Sequence, residues 1–288
     1  MSQLLSDRED YIAAFSDFVS ASPSSYHAAH AVAEALEGAG FEAHDERDAW
    51  APITAGSCGF VVRDGAVIAW RAGDGVDALS PVRMLGAHTD SPGFMLKPQP
   101  DFVAEGWTQL GVEVYGGPLL NSWLDRDLGI AGRLITRDGN EHLASTGPVA
   151  RIPQLAIHLD RDVGEGLKLD RQRHTQPVLG VGAGVSALGL LADAAGVALD
   201  EIVGSDARLF DTQAPARIGA TGELFASPQL DNLTSVFAGL VALLEREPAP
   251  GTIAMLAAFD HEEHGHRHLQ PGPFYQGPIQ GIRSMDKG

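Results

Sequence analysis

The chain has 288 residues, a mean hydropathy of -0.03 and a formal net charge of -18. This length is enough for one large domain or two smaller ones. The excess of acid repels nucleic acid and anionic membranes, and no apolar run of about 18 residues predicts a transmembrane helix. The single cysteine, Cys58, and an N-terminus without a basic segment followed by an apolar one predict a cytoplasmic protein.

The hydrophobic pattern predicts both helices and strands. In chain order, the predicted elements are a helix over 6–19, a helix over 25–40, a β-hairpin over 59–70, a strand over 82–87, a hairpin around Asp138-Gly139, a strand over 149–159, helices over 185–197 and 232–247, and a buried strand over 252–259. Helix and strand alternate at both ends, whereas the middle is richer in strand and turn. This pattern predicts an α/β domain that is interrupted by a mostly β insertion.

The first candidate site is the segment GAHTDSPG, in which His88 and Asp90 follow the strand predicted over 82–87. Ligand sites of α/β sheets lie beyond the carboxyl ends of strands. An imidazole there can bind a metal through one nitrogen, while a carboxylate two residues later accepts from the other nitrogen and fixes the tautomer. The pair also fits a capped turn with a hydrogen-bonded histidine, and the short His-x-Asp pattern alone favours that interpretation.

The second candidate is Asp231, at the start of the helix predicted over 232–247. A carboxylate that is held rigidly at the end of an element can bridge two cations. An Asp at this position is more often a helix N-cap, here with Asn232 beside it. The residue alone leaves both roles open.

The third candidate is the sequence Asp260-His261-Glu262-Glu263, which follows the last predicted strand. Two adjacent desolvated glutamates are costly unless one binds a cation, which leaves the other free to take a proton from water. The alternative is an exposed acidic turn. An HExxH zinc motif is excluded because the position four residues after His261 is Gly265.

Together, the three segments supply what two-metal hydrolases require, namely imidazole and carboxylate ligands, a bridging carboxylate and an unligated carboxylate base. Further segments accompany them in order: SASPSSYHAA, NSWLDRDLGIAGRL, IPQLAIHLDR and GLKLDRQRHTQPVLG. With this series, over roughly residues 10–263, the chain resembles the aspartyl aminopeptidase family, a branch of the dinuclear zinc aminopeptidases.

The resemblance implies a role for each candidate residue. His88 is implied as a terminal ligand of one zinc, and Asp90 as the residue that orients it. Asp231 is implied as the carboxylate that bridges both zinc ions. Glu262 is implied as the general base, and Glu263 as a ligand of the other zinc.

The resemblance also implies a catalytic role for His158, which lies on the strand predicted over 149–159. It matches a histidine that reaches a substrate site, including across a subunit interface. A histidine on an alternating strand equally fits a satisfied core residue, so both interpretations remain open.

The fold, reaction and partners are implied in the same way. The resemblance implies an α/β/α catalytic domain over residues 1–92 and 222–263, incomplete in its C-terminal part, and a mostly β dimerisation insert over 93–221. It implies removal of N-terminal Asp or Glu from peptides by two zinc ions, which manganese or cobalt can replace. It further implies a dimer-based homo-oligomer, a dodecamer in the complete form. A related enzyme with glutamyl or broader specificity is an alternative.

The sequence departs from the family pattern after Glu263. There the family continues for a long segment that supplies two further ligands, an Asp and a His, whereas residues 264–288 form a tail rich in Pro, Gly, His and Gln. We interpret this tail as disordered or out of frame, with a genuine short variant or an incomplete gene model as the alternatives. An inactive homologue that acts only as an assembly module is therefore a second hypothesis. Without the further segment, we expect strand 252–259 and helix 232–247 to have uncovered apolar surfaces.

Overall fold

The computed structural model describes residues 4–264. The chain divides into two compact units. One unit consists of the described parts of Met1–Asp90 and Ala216–Gly288, and the other is Ser91–Pro215. Except for His264, residues 264–288, which we interpret from the sequence as disordered or out of frame, lie outside the described residues.

Helices and strands alternate in the first unit, and strands dominate the second. The helices are α1 (Arg8–Ser20), α2 (Ser25–Gly38), α3 (Ala187–Ala195) and α4 (Leu230–Glu245). The strands are β1 (Glu42–Ala43), β2 (Cys58–Arg63), β3 (Ala66–Ala72), β4 (Val82–His88), β5 (Gly93–Ala104), β6 (Trp107–Tyr115), β7 (Leu128–Thr136), β8 (Glu141–Ser145), β9 (Val178–Val181), β10 (Ile202–Asp211), β11 (Ala216–Ile218), β12 (Leu224–Ala226) and β13 (Ile253–Phe259). These bounds confirm the four predicted helices, both predicted hairpins and the strands predicted over 82–87 and 252–259. Within residues 4–264, no helix has the combination of length and apolarity that a membrane span requires.

The strand predicted over 149–159 is wrong. Only residues 150–152 pair, through isolated bridges to neighbouring segments. Pro153 follows them and cannot donate the backbone N–H that would extend a ladder. From this proline the chain runs through exposed, irregular backbone to a turn.

The α/β unit is built on a five-stranded sheet with the order β1-β2-β3-β13-β4. β13 lies between β3, to which it is antiparallel, and β4, to which it is parallel. A parallel pair cannot be closed by a tight turn, and α4 lies between β4 and β13 in the chain order. A separate two-stranded ribbon, β11-β12, belongs to the same unit.

Alternate side chains of this sheet enter two different cores, as the period of two for a strand requires. On one face, Val67 and Ala69 pack against α1, α2 and α4. On the other face, Ile68 and Trp70 belong to a smaller cluster that includes Trp50. Both faces are therefore covered at the centre of the sheet, which gives β3 and β13 a rigid setting.

β4 lies at the edge of the described sheet and exposes apolar side chains. Val82, Met84 and Leu85 are 40%, 45% and 39% exposed. The uncovered apolar surface was expected on the strand over 252–259 and on the helix over 232–247. That expectation is wrong for the strand, because β13 has a neighbour on each side and is almost entirely buried. It is also wrong for α4, whose buried residues include Leu233, Val236, Phe237, Leu240, Val241 and Leu243. The uncovered surface belongs to β4 instead.

The second unit is a six-stranded antiparallel sheet with the order β8-β7-β10-β5-β6-β9. α3 packs on β7 and β8. Leu110, Leu128, Ile130, Leu134 and Leu191 are fully buried in its core. The second unit consists mainly of strands, as the sequence pattern predicts for a mostly β insertion.

Candidate metal centre

The candidate residues meet where β4 and β13 end. These strands run parallel, with His88 opposite Phe259 in the last pair of the register. Because parallel strands end at the same edge of a sheet, the residues that follow them emerge side by side. The first turn of α4 reaches the same place, and Asp231 Oδ2 lies 3.4 Å from His88 Nε2. Three segments that are distant in sequence thus converge within the α/β unit.

The imidazole of His88 lies between two carboxylates. Its Nδ1 is 3.0 Å from the backbone oxygen of Asp90 and 3.5 Å from Asp90 Oδ1. Its Nε2 faces Asp231. When Nδ1 donates its proton to Asp90, the other nitrogen presents a lone pair on the side of Asp231, which is the tautomer that a metal ligand needs.

Asp90 also holds the turn that carries the paired glutamates. Its carboxylate is fully buried, and its two oxygens accept the backbone N–H groups of Glu262 and Glu263, each at 3.2 Å. Such donors offset the cost of burying a charged carboxylate. One side chain therefore connects His88 to the turn after β13. The sequence predicted only the contact with His88.

The donor atoms fit a divalent metal ion. Ligand atoms of His88, Glu262 and Glu263 all lie within 4.8 Å of one another, and imidazole nitrogen with carboxylate oxygen suits zinc. The hydrogen bond with Asp90 raises the pKa of His88 to about 9. Burial, followed by the nearby charges of Asp90 and Glu262, raises the pKa of Glu263. The neighbouring carboxylates contribute to both shifts, and a divalent cation would neutralise their charge.

Asp231 is not the N-cap of α4. The N-cap is Gln229, and Asp231 is the second residue of the helix. Its side chain is 83% exposed, unlike that of a carboxylate folded back onto the helix end, and it faces His88. The N-cap interpretation is therefore excluded.

His158 lies in the second unit, in an exposed turn that follows the irregular segment after Pro153. This position excludes the interpretation as a core histidine on a strand. Its catalytic role stays a prediction.

Three buried polar residues lie behind the site, and the sequence predicted no role in the site for any of them. Thr89 and Asn232 are 0% and 1% exposed. The side chain of Asp260 is buried too, and its oxygens accept the Ser25 hydroxyl at 3.0 Å and the backbone N–H of His261 at 2.9 Å. Their position in the sequence could have identified them, because Thr89, Asn232 and Asp260 are each within two residues of a predicted ligand or base.

The sequence of the chain matches a known family over most of its length. A sequence model described as "Aminopeptidase I zinc metalloprotease (M18)" matches residues 18–270. The chain belongs to the M18 family of zinc metalloproteases. The resemblance inferred from the ordered motifs is thereby confirmed.

Curated relatives carry the same family name. The probable M18 family aminopeptidase 2 of Streptomyces avermitilis is 49% identical over 272 residues, which are 92% of this chain and 62% of the relative. The protein of that name from Mycobacterium leprae is 43% identical over 258 residues, 86% of this chain and 59% of the relative. The chain thus spans about three fifths of the length of these relatives.

Solved M18 structures share the fold. A chain in the Ape4 and Nbr1 complex has a TM-score of 0.88 at 30% identity, over 96% of this chain and 59% of that one. The M18 aminopeptidase from Thermotoga maritima has a TM-score of 0.78 at 25% identity, over 98% and 66%. The S. cerevisiae mApe1 dodecamer gives 0.78 at 27% identity, over 96% and 66%. An α/β catalytic unit with a β-rich insert is therefore the shared architecture.

Proposed function

We propose that this chain carries the metal site of a zinc aminopeptidase that removes N-terminal residues from peptides. His88, Asp231 and Glu263 are the ligands, Asp90 orients His88, and Glu262 is the general base. The observation that carries the proposal is the convergence of these side chains at the carboxyl ends of β4 and β13, with His88 Nε2 directed at Asp231. Membership of the M18 family supports it.

The residues divide the chemical work between them. Zinc, when bound, would polarise the scissile carbonyl and acidify a water molecule. Glu262 takes the proton of the attacking water and returns it to the leaving amine. Asp90 fixes the backbone of Glu262 and so the position from which the base acts. Asp231 and Glu263 place negative charge where they would hold the metal, and the same charge attracts the positively charged amino terminus of a peptide.

The finer assignment rests on the resemblance to aspartyl aminopeptidases. It comprises two zinc ions per complete site, with manganese or cobalt as substitutes, a preference for N-terminal Asp or Glu, and a cytoplasmic homo-oligomer that associates through the inserted unit. The dodecamer of S. cerevisiae mApe1 supports the oligomer. A panel of aspartyl, glutamyl and leucyl chromogenic substrates distinguishes the acidic preference from a broader one.

Replacing Glu262 by Gln tests the role of the base. We expect kcat for the aspartyl substrate to fall by about 10²–10⁴-fold, because the amide cannot accept the proton, while bound zinc is unchanged. The measurement is steady-state hydrolysis by the zinc-loaded protein, with metal content from atomic absorption. Glu37→Gln, on the exposed side of α2, is the matched control and should retain full activity. Equal activity in Glu262→Gln and the parent contradicts the assignment.

One observation favours the assembly module as a second candidate. Among residues 4–264, the cluster offers one histidine and three carboxylates. With Asp231 shared, each of two zinc ions would have two protein ligands, fewer than the three that catalytic zinc sites usually have. A folded oligomer that neither retains zinc nor turns over any substrate of the panel would support this candidate over the enzyme.

A further inference from the structure

Thr89 lies between His88 and Asp90 but does not face the metal centre. It is the residue after β4, and its side chain is fully buried behind the site. A side chain in this position does not contact a metal ion or a substrate directly. Its hydrogen bonds, however, reach every segment that carries a candidate ligand.

The backbone of Thr89 forms two of these links. Its N–H donates to the Phe259 carbonyl at 2.8 Å, which extends the pairing of β4 with β13 by one residue. Its carbonyl accepts the side-chain amide of Asn232 at 2.9 Å. Phe259 precedes the turn of Glu262 by three residues, and Asn232 directly follows Asp231.

The side chain forms the third link. The Thr89 hydroxyl lies 2.6 Å from the Gly65 carbonyl and 3.2 Å from the Phe259 carbonyl. A hydroxyl has one proton to donate, and the shorter distance assigns it to Gly65. Gly65 is in the turn between β2 and β3, where a Cβ atom would overlap Asp260 Oδ2. The hydroxyl thus connects the segment of His88 to the hairpin that supports the turn after β13.

Asn232 supports this arrangement through its own orientation. Its Oδ1 is buried without a hydrogen-bond partner among the described residues, while its amide nitrogen donates to Thr89. A buried unpaired oxygen costs free energy. In the reverse orientation, Oδ1 of Asn232 would face the carbonyl oxygen of Thr89, and these two acceptors would repel each other. The hydrogen bond to Thr89 therefore determines the orientation of the Asn232 amide. The first turn of α4, and with it Asp231, is tied to the position of Thr89.

We infer that Thr89 is a positioning residue, whose hydroxyl and backbone hold the segments of His88, Asp231 and Glu262 in the geometry that binds metal. The inference rests on the proposed function, since it concerns the same site. Supporting contacts of this kind typically change metal affinity by about 10–100-fold when they are removed.

The test compares Thr89→Val, which keeps the shape and removes the hydroxyl, with Thr89→Ser, which keeps the hydroxyl and removes a methyl group. Two readouts are taken on the full chain. One is cobalt(II) affinity and visible absorption. The other is hydrogen exchange, by mass spectrometry without metal, of peptides that cover residues 88–90 and 259–264.

We expect Thr89→Val to bind cobalt at least about tenfold more weakly than the parent and to exchange faster in both peptides. Thr89→Ser should match the parent in both readouts. Parental affinity and exchange in Thr89→Val would overturn the inference, and so would equal impairment of the Ser variant, since that result would assign the effect to packing. If Thr89→Val does not fold, Thr89→Ala removes the hydroxyl and the methyl group together. It is judged by the same outcomes, with Thr89→Ser as the control for the lost methyl group.

The two readouts separate this inference from the proposed function. A parent that does not bind cobalt refutes the metal site, whereas the exchange comparison still decides whether Thr89 holds the segments. Unchanged exchange in the hydroxyl-free variants then refutes the positioning role independently.

Discussion

Asp90 illustrates how a single residue in this site acts through its neighbours. Its two oxygens accept both glutamate N–H groups, and its backbone and carboxylate face the Nδ1 of His88. The His-x-Asp spacing predicted the histidine contact, because two residues suffice to bring the groups together. No local pattern specifies the partners 172 and 173 residues away. The sequence thus identified Asp90 as part of the site but did not predict its hydrogen bonds with Glu262 and Glu263.

His27 gives the stability of the α/β unit a pH dependence outside the metal site. The Ser24 hydroxyl accepts the backbone N–H of His27 and lies 2.8 Å from its Nδ1, so its proton is available for that nitrogen. Burial, and secondarily the charge of His30, lowers the pKa of His27 from 6.5 to about 4. The folded protein therefore keeps this ring neutral at a pH where the unfolded chain protonates it.

We predict that neutral His27 stabilises the protein above pH 6.5, and that this contribution is lost as the pH falls toward 4. The free energy of unfolding of the parent, relative to His27→Gln, should decrease by about 2 kcal/mol between about pH 7.5 and about pH 5. Urea unfolding of both proteins at each pH measures it, and the comparison cancels other titrating groups such as His88. A difference that does not change with pH would refute the prediction.

The hairpin of β2 and β3 shows how an element without any predicted ligand shapes the site. Its turn was predicted from the Asp64-Gly65 pair, and the structure confirms it. What the pattern does not reveal is that Gly65 packs against Asp260 and Ser25. Turn chemistry is local and readable, whereas the close approach of a distant carboxylate depends on the order of the strands in the sheet.

Substituting Gly65 by Ala should disturb the metal site, although Gly65 is not itself a predicted ligand. The added methyl group would overlap Asp260 Oδ2 and lie 2.7 Å from Ser25 Oγ. We expect a loss of about 1–3 kcal/mol in stability, because overpacking must displace a buried side chain. Cobalt titration should show weakened binding, as the turn of Glu262 moves with Asp260.

The matched control for this substitution is Gly86→Ala in β4, two residues before His88. A Cβ atom at Gly86 meets no atom within 4 Å. Thermal unfolding and cobalt titration of this control should match the parent. If Gly65→Ala is also indistinguishable from the parent, the hairpin does not support the site.

At the scale of the whole molecule, the exposed side of β4 dominates the expected behaviour in solution. An apolar edge strand with free backbone groups is a template for pairing with other chains. The sequence predicted uncovered apolar surface but assigned it to β13 and α4 instead of β4. Both β4 and β13 are short apolar runs in the sequence, so hydrophobicity alone cannot tell which of them is central. Only the order of the strands in the sheet distinguishes an edge strand from a central one.

We predict that the protein self-associates through β4, in addition to the contacts proposed for the inserted unit. Met84→Lys places a charge on the edge and should reduce the concentration-dependent large species in sedimentation velocity, because edge charges oppose strand pairing. Ala78→Lys adds the same charge in the exposed turn before β4 and should leave the distribution unchanged. Identical sedimentation of Met84→Lys and the parent would exclude this edge as the contact.

The position of β13 also sets the order in which this sheet can be assembled. β3 and β4 are neighbours in sequence but do not pair, because β13 lies between them in the sheet. β13 begins at Ile253, which is 171 residues after Val82, where β4 begins (253 − 82). During synthesis, the segment of His88 leaves the ribosome long before the strand that will support it. The whole second unit is translated in that interval. Formation of the metal centre is therefore a late event in folding, and its contacts are the long-range kind that slows folding.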